Sequence, residues 1–200
     1  MKIAVLTLGS YAANCYLVWD EESRDCIVVD PGADGAKILQ ILQKEGLQPQ
    51  AVALTHGHFD HVGGVPELRS AGAEIWLYRD DLFLTGGMTT LDSNAAYHFW
   101  EDGQEVCFGT LRLQVLHTPG HTPGSCCLCI QDVLFTGDTL FTGSCGRTDF
   151  PGGSIEDMRA SLRRLAALPG DWTVLPGHGS SSTLERERKT NPYLLEAVKA

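Results

Sequence analysis

No stretch of this chain approaches the ~18 consecutive apolar residues that a membrane-spanning helix needs. Positive charge is scarce, with 15 Lys and Arg against 25 Asp and Glu for a net charge of −10 at pH 7. That balance disfavours non-specific attraction to nucleic acid or anionic lipid, and neither is expected as a partner. Low-complexity tracts, charge blocks and linkers are absent. The seven cysteines (Cys15, Cys26, Cys107, Cys126, Cys127, Cys129 and Cys145) are an odd number without disulfide-scaffold spacing. No export signal is expected before them. Met1–Leu8 carries one basic residue and reads as a first β-strand, so a reduced, cytoplasmic setting is expected.

What is present fits one globular domain spanning 1–200. Apolar residues make up 43% and charged residues 20%. The 22 glycines in 200 residues exceed the usual ~7%, so tight turns are plentiful. Ten strand-like runs are punctuated by Gly, Pro, Asp or Asn: Ile3–Leu8, Cys15–Trp19, Cys26–Val29, Ala51–Leu54, Ile75–Tyr78, Gln104–Phe108, Leu111–Leu116, Ser125–Ile130, Val133–Phe135 and Trp172–Leu175. Helical patterns fall at Asp34–Glu45, Pro66–Ala71, Ser154–Ala167, Thr183–Lys189 and from Pro192 onward. Ser154 with Asp157 three residues later resembles a capping box. Strands with interspersed helices predict an α/β or α+β layered domain.

Five apolar strands run straight into short polar loops. Val29 leads to Asp30-Pro31-Gly32, and Leu54 to Thr55-His56-Gly57-His58. Leu116 leads to Thr118-Pro119-Gly120-His121, Phe135 to Thr136-Gly137-Asp138, and Leu175 to Pro176-Gly177-His178. If these strands lie side by side, their C-terminal ends gather His and Asp on one edge, where sheet proteins place ligand sites.

His56-Gly57-His58-Phe59-Asp60-His61 puts four candidate ligands within six residues. Imidazole and carboxylate suit Zn, Fe or Mn. Residues 56 and 58 of an extended loop point the same way and can share an ion. Asp60 and His61 start a helix and aim elsewhere, so two neighbouring ions are expected. His121, Asp138 and His178 complete the set. His56, His58 and His121 hold the first metal, Asp60, His61 and His178 the second, and Asp138 bridges them. His98 and His117 lack this context and read as packed or structural residues. Cys126, Cys127 and Cys129 sit in a strand-like run with no second cysteine pair elsewhere, and read as small buried apolar residues.

At these residues the sequence resembles the metallo-β-lactamase-fold hydrolases, and within them the glyoxalase II (hydroxyacylglutathione hydrolase) branch. Thr55–Gly64 carries the strongest match. Asn14–Val18, Val29–Gly32, Thr118–Gly124, Phe135–Asp138 and Pro176–Gly179 join it in family order. The resemblance implies a four-layer αββα sandwich with a binuclear site at one edge, held by the seven residues above. Asp138 stands where the commonest secreted metallo-β-lactamases carry a Cys ligand, which argues against antibiotic hydrolysis. The chain runs about 20 residues past His178, too few for the family's C-terminal helical glutathione-binding domain. Arg147 and Asp149 stand where the family has Lys and Tyr. Gly146–Phe150 also resembles the persulfide dioxygenases of the same fold, which use one iron.

The expected reaction is hydrolysis of a thioester such as S-lactoylglutathione by a hydroxide shared between two divalent ions, zinc first, with iron or manganese as alternatives. Asp60 and Asp138 carry the catalytic roles, Asp60 orienting the hydroxide. Arg147 is the candidate for a substrate carboxylate, or else pairs with Asp149. Asp30 orients a ligand histidine, or serves only as a turn residue before Pro31. The alternatives are iron-dependent oxidation of glutathione persulfide, hydrolysis of another ester, lactone or phosphodiester, and a non-enzymatic metal-binding scaffold.

Overall fold

A computed structural model describes residues 1–199. The first sheet takes its strands in chain order: β1 (Lys2–Leu8), β2 (Ala13–Trp19), β3 (Asp25–Val29), β4 (Gln48–Ala53), β5 (Glu74–Leu77) and β6 (His98–Phe99). The second contains β7 (Glu105–Phe108), β8 (Leu111–His117), β9 (Cys126–Ile130) and β10 (Val133–Gly137). A small separate hairpin follows, β11 (Leu140–Phe141) and β12 (Ser144–Cys145), before β13 (Thr173–Pro176) and β14 (Ser182–Thr183) complete the second sheet. Its order is β14-β13-β10-β9-β8-β7. The helices are α1 (Gly35–Lys44), the single turn α2 (Phe59–Val62), α3 (Val65–Ser70), α4 (Ile155–Ala166), α5 (Leu184–Thr190) and α6 (Pro192–Lys199).

Alternation along each strand sorts its side chains into separate layers. In β3, Cys26 and Val28 face α1 and α3, meeting Ile38, Leu42, Val65 and Leu68. Ile27 and Val29 face the second sheet, where they meet Leu113, Leu128 and Phe135. In β9, Cys126, Leu128 and Ile130 enter that central layer. Cys127 and Cys129 face Met158, Leu162 and Leu165 of α4 together with Leu194 of α6. Helices therefore cover both outer faces, and the four-layer αββα sandwich is the observed architecture. Both faces of these strands are buried, which is why they read as continuous apolar runs. The β9 cysteines are unpaired and buried, as expected.

Strand direction gathers the five loops. β3 and β4 run parallel. In the second sheet β10 and β13 run parallel, and β8 shares their direction because both β8 and β10 are antiparallel to β9. The Ser154 hydroxyl caps α4 by accepting from the Asp157 amide at 3.2 Å. The reciprocal half of a capping box is replaced: the Ser154 amide donates to the Gly120 carbonyl at 2.9 Å. Thus α4 begins tied to the loop that presents His121.

Candidate metal centre

The centre forms where the two sheets' loops meet. His56 and His58 extend from β4, and Asp60 and His61 lie on α2. His121 follows β8, Asp138 follows β10 and His178 follows β13. One group of donor atoms comes from His56, His58 and His121, and another from Asp60, His61 and His178, each lying within 4.8 Å of one another. His58 Nδ1 and His121 Nε2 are 2.9 Å apart, and His61 Nε2 and His178 Nε2 are 3.2 Å apart. Asp138 reaches both groups: Oδ2 lies 3.5 Å from His121 Nε2 and 3.6 Å from His178 Nε2, and Oδ1 lies 3.5 Å from His61 Nε2. All seven predicted residues are brought together.

Hydrogen bonds behind the rings set which nitrogen faces the centre. His121 Nδ1 donates to the Arg147 carbonyl at 2.8 Å, leaving Nε2 as the lone pair. His61 Nδ1 donates to Asp30 Oδ2 at 3.0 Å, again turning Nε2 inward. The Thr55 hydroxyl donates to Asp30 Oδ2 at 2.5 Å and accepts from His56 Nδ1 at 3.2 Å. Asp30 therefore steers His61 directly and His56 through Thr55. It does so from a backbone φ of 49°, a left-handed conformation uncommon outside glycine. His56 Nε2 and Asp138 Oδ1 are buried with no hydrogen-bond partner. Orphaned lone pairs of this kind, converging with others, fit cations.

Electrostatics divide the cluster. Burial, with His61, His121 and His58 nearby, pushes His56 well below the usual imidazole range. Burial and His121 lower His58 to about 4. Burial would also lower His61, but Asp138, Asp30 and Asp60 outweigh it and hold His61 up to about 9. The His178 bond and the His61 charge overcome burial at Asp60 and bring its carboxyl down to about 2. That same bond to Asp60 raises His178.

A match to the family model described as the metallo-beta-lactamase superfamily covers residues 8–178. The chain belongs to that superfamily. Among curated proteins, it is similar to a Haemophilus influenzae protein named hydroxyacylglutathione hydrolase GloC, at 34% identity over 97% of this chain and 98% of that one. Among solved structures, the BLEG-1 B3 metallo-beta-lactamase superposes with a TM-score of 0.87 at 33% identity, covering 96% of this chain and 99% of that one. TTHA1623 in a di-iron-bound form superposes with a TM-score of 0.84 at 37% identity, covering 95% of this chain and 99% of that one. As a member of the superfamily with a His/Asp cluster of this geometry, the chain is a metallohydrolase-type protein.

Several supports of this metallohydrolase centre lie outside the motifs. Asp81, on the 3-10 turn Arg79–Phe83 after β5, is wholly buried. It accepts from the Gly57 amide at 2.8 Å, the Gly124 amide at 2.6 Å and the Thr122 hydroxyl at 2.7 Å. It joins the His56–His58 loop to the His121 loop. Burial raises its carboxyl despite those three bonds. The sequence reading missed it, although it too follows an apolar strand. Its signal is the carboxylate pair Asp80-Asp81, without the Gly or Pro that marks the other loops. On the other side, the Asn14 amide group donates to the Pro176 and Gly179 carbonyls at 3.0 and 2.9 Å, clasping the His178 loop to β2. A Cβ at Gly177 would lie 2.2 Å from Asp138 Oδ1, so only glycine fits there.

One expectation needs sharpening. Arg147 does line the cavity over the centre, but its guanidinium is engaged. Nε and one terminal nitrogen donate to the two Asp149 oxygens at 2.7 Å each, which occupies one edge of the guanidinium. The pairing alternative is the one observed. His98 does not approach the centre; it stacks on Trp76 with 4.5 Å between rings. His117 donates to the Pro123 carbonyl at 2.9 Å, a structural role. Among the described residues, no helix is long and apolar enough to cross a membrane.

Proposed function

We propose that the protein hydrolyses thioesters of small molecules at this centre, with S-lactoylglutathione as the first substrate to test. The observation carrying this is the pair of triads sharing Asp138 on the floor of a cavity of about 570 Å³. His56, His58 and His121 would hold one divalent cation, and Asp60, His61 and His178 the other, with Asp138 between them. Two such cations would supply a water of lowered pKa and polarise a carbonyl oxygen. Zinc suits the donor set, with iron or manganese as alternatives. The di-iron form of a relative at 37% identity supports keeping iron among them.

The chain's own groups fit this chemistry. Asp60, ionised at all ordinary pH, is placed to orient the attacking water. Asp30 and the Arg147 carbonyl keep the donor nitrogens aimed during turnover. Water adds its oxygen to the carbonyl carbon as the C–S bond breaks, giving a carboxylic acid and a thiol. A thiol of pKa ~8.5 leaves readily as thiolate. A strong general acid is therefore unnecessary, and the residues lining the cavity include no lysine. The name of the Haemophilus relative favours a glutathione thioester as the starting probe. A reduced intracellular setting is part of the same proposal.

The test combines elemental analysis with a substrate panel. Purified, metal-loaded protein is expected to release thiol from S-lactoylglutathione, and His58→Ala is expected to lower bound metal and hydrolysis together. Oxygen uptake with glutathione persulfide, or ring opening of a β-lactam, without thioester cleavage would overturn the reading.

A further inference from the structure

We infer that this site selects thioesters whose arms are uncharged and apolar, and that glutathione is a poorly recognised thiol arm. The inference rests on the thioester reading above and narrows its substrate class. Its basis is the cavity wall. Five of the lining side chains are large and apolar or aromatic: Tyr11, Phe59, Met88, Phe141 and Phe150. Phe150 stands edge-on to His58 at 5.8 Å, beside the all-imidazole triad. Phe141 stands edge-on to His178 at 6.2 Å, beside the second triad. Tyr11 meets Phe59 edge-on at 5.1 Å. A carbonyl centred over Asp138 would thus have an aromatic wall toward each triad.

Glutathione brings two carboxylates, which need cationic or multiple amide partners when desolvated. Arg147 is the one Lys or Arg lining the cavity. Its Nε edge is paired with Asp149, and its Cζ lies 3.8 Å from the Phe150 ring centroid, which leaves one terminal nitrogen for a carboxylate. An apolar arm carries no such cost, and it removes the rings from water.

The experiment uses zinc-loaded protein and four thioesters: lactoyl and phenylacetyl groups, each on glutathione and on N-acetylcysteamine, a neutral thiol. The phenylacetyl thioester of the neutral thiol is expected to exceed S-lactoylglutathione in kcat/KM by about tenfold or more, the ratio that one buried ring supplies. The difference is expected mainly in KM. Phe150→Ala should collapse the preference toward parity. Asp149→Ala, which frees the Arg147 fork, should raise the glutathione thioesters severalfold relative to the neutral ones. Hydrolysis of all four with the glutathione thioesters equal or preferred overturns this inference and leaves the thioester reading standing. Hydrolysis of none, with two zinc ions bound, overturns both. The wild-type ratio decides the matter even if Phe150→Ala does not fold.

Discussion

His56, His58 and His121 are 1%, 3% and 3% exposed and form an all-imidazole set. The second triad mixes a carboxylate with two imidazoles, and His178 is 28% exposed. Burial drives His56 and His58 toward neutrality, with His58 lowered to about 4, so their lone pairs are free at neutral pH. In the second set the surrounding carboxylates hold His61 up to about 9, so a cation there must displace a proton. The same residue types thus make two sites of different readiness. Asp81 and the Arg147 carbonyl support the first, Asn14 supports the second, and Asp30 holds His61 directly and His56 through Thr55.

The largest expected effect comes from the first set. His56→Ala or His58→Ala should lower hydrolysis by about 10³-fold, as removal of transition-state charge stabilisation does. Metal content should fall mostly at that triad. Equal loss at both triads in a metal count would break the distinction drawn here.

Removing Asp30 should act mainly on the second set. Asp30→Ala is expected to weaken the His61 triad's zinc affinity about 10–100-fold, the usual cost of losing a carboxylate behind a ligand histidine. The first triad, which feels Asp30 only through Thr55, should change less. Stepwise zinc titration against a chelator reads both constants.

The pH dependence sharpens the comparison further. His61 is raised above its unfolded value of 6.5 in the metal-free fold. Its proton therefore stabilises that fold fully below pH 6.5, and the contribution is lost as pH rises through about 9. Metal-free protein should melt at a lower temperature at pH 9 than at pH 7. Second-site zinc affinity should rise over the same range, by at most about tenfold per pH unit for one proton. Zinc affinity at the first site, where His56 and His58 already carry no proton, should change less. Parallel pH profiles for the two sites would contradict the contrast.

Much of this was legible in the sequence, and for a physical reason. β3, β4, β8, β10 and β13 are apolar and mostly buried toward their C-terminal ends, so the abrupt change to Gly, Pro, His and Asp there marks where backbone leaves the core. His56, His58, Asp60, His61, His121, Asp138 and His178 all announce themselves that way. The two-residue strands β6, β11, β12 and β14 carry no periodicity and stay invisible. Asp81 hides for a different reason. Its function is set by three partners from Gly57, Thr122 and Gly124, contacts that exist only after folding. Arg147 was visible, but whether it faces substrate or Asp149 depends on local loop geometry that spacing does not encode.

The smallest expected effect concerns the clasp on the second site. Asn14→Ala removes two bonds to the His178 loop and should cost about 1–3 kcal/mol of stability. A thermal melt of metal-loaded protein checks it.

The most direct measurement is a count of zinc bound per chain after loading and dialysis at pH 8. Two ions per chain, falling to one at the mixed triad when His58 is replaced by Ala, is the predicted result. A wild-type value of one or none, with all seven side chains intact, would contradict a centre built to hold two cations around Asp138.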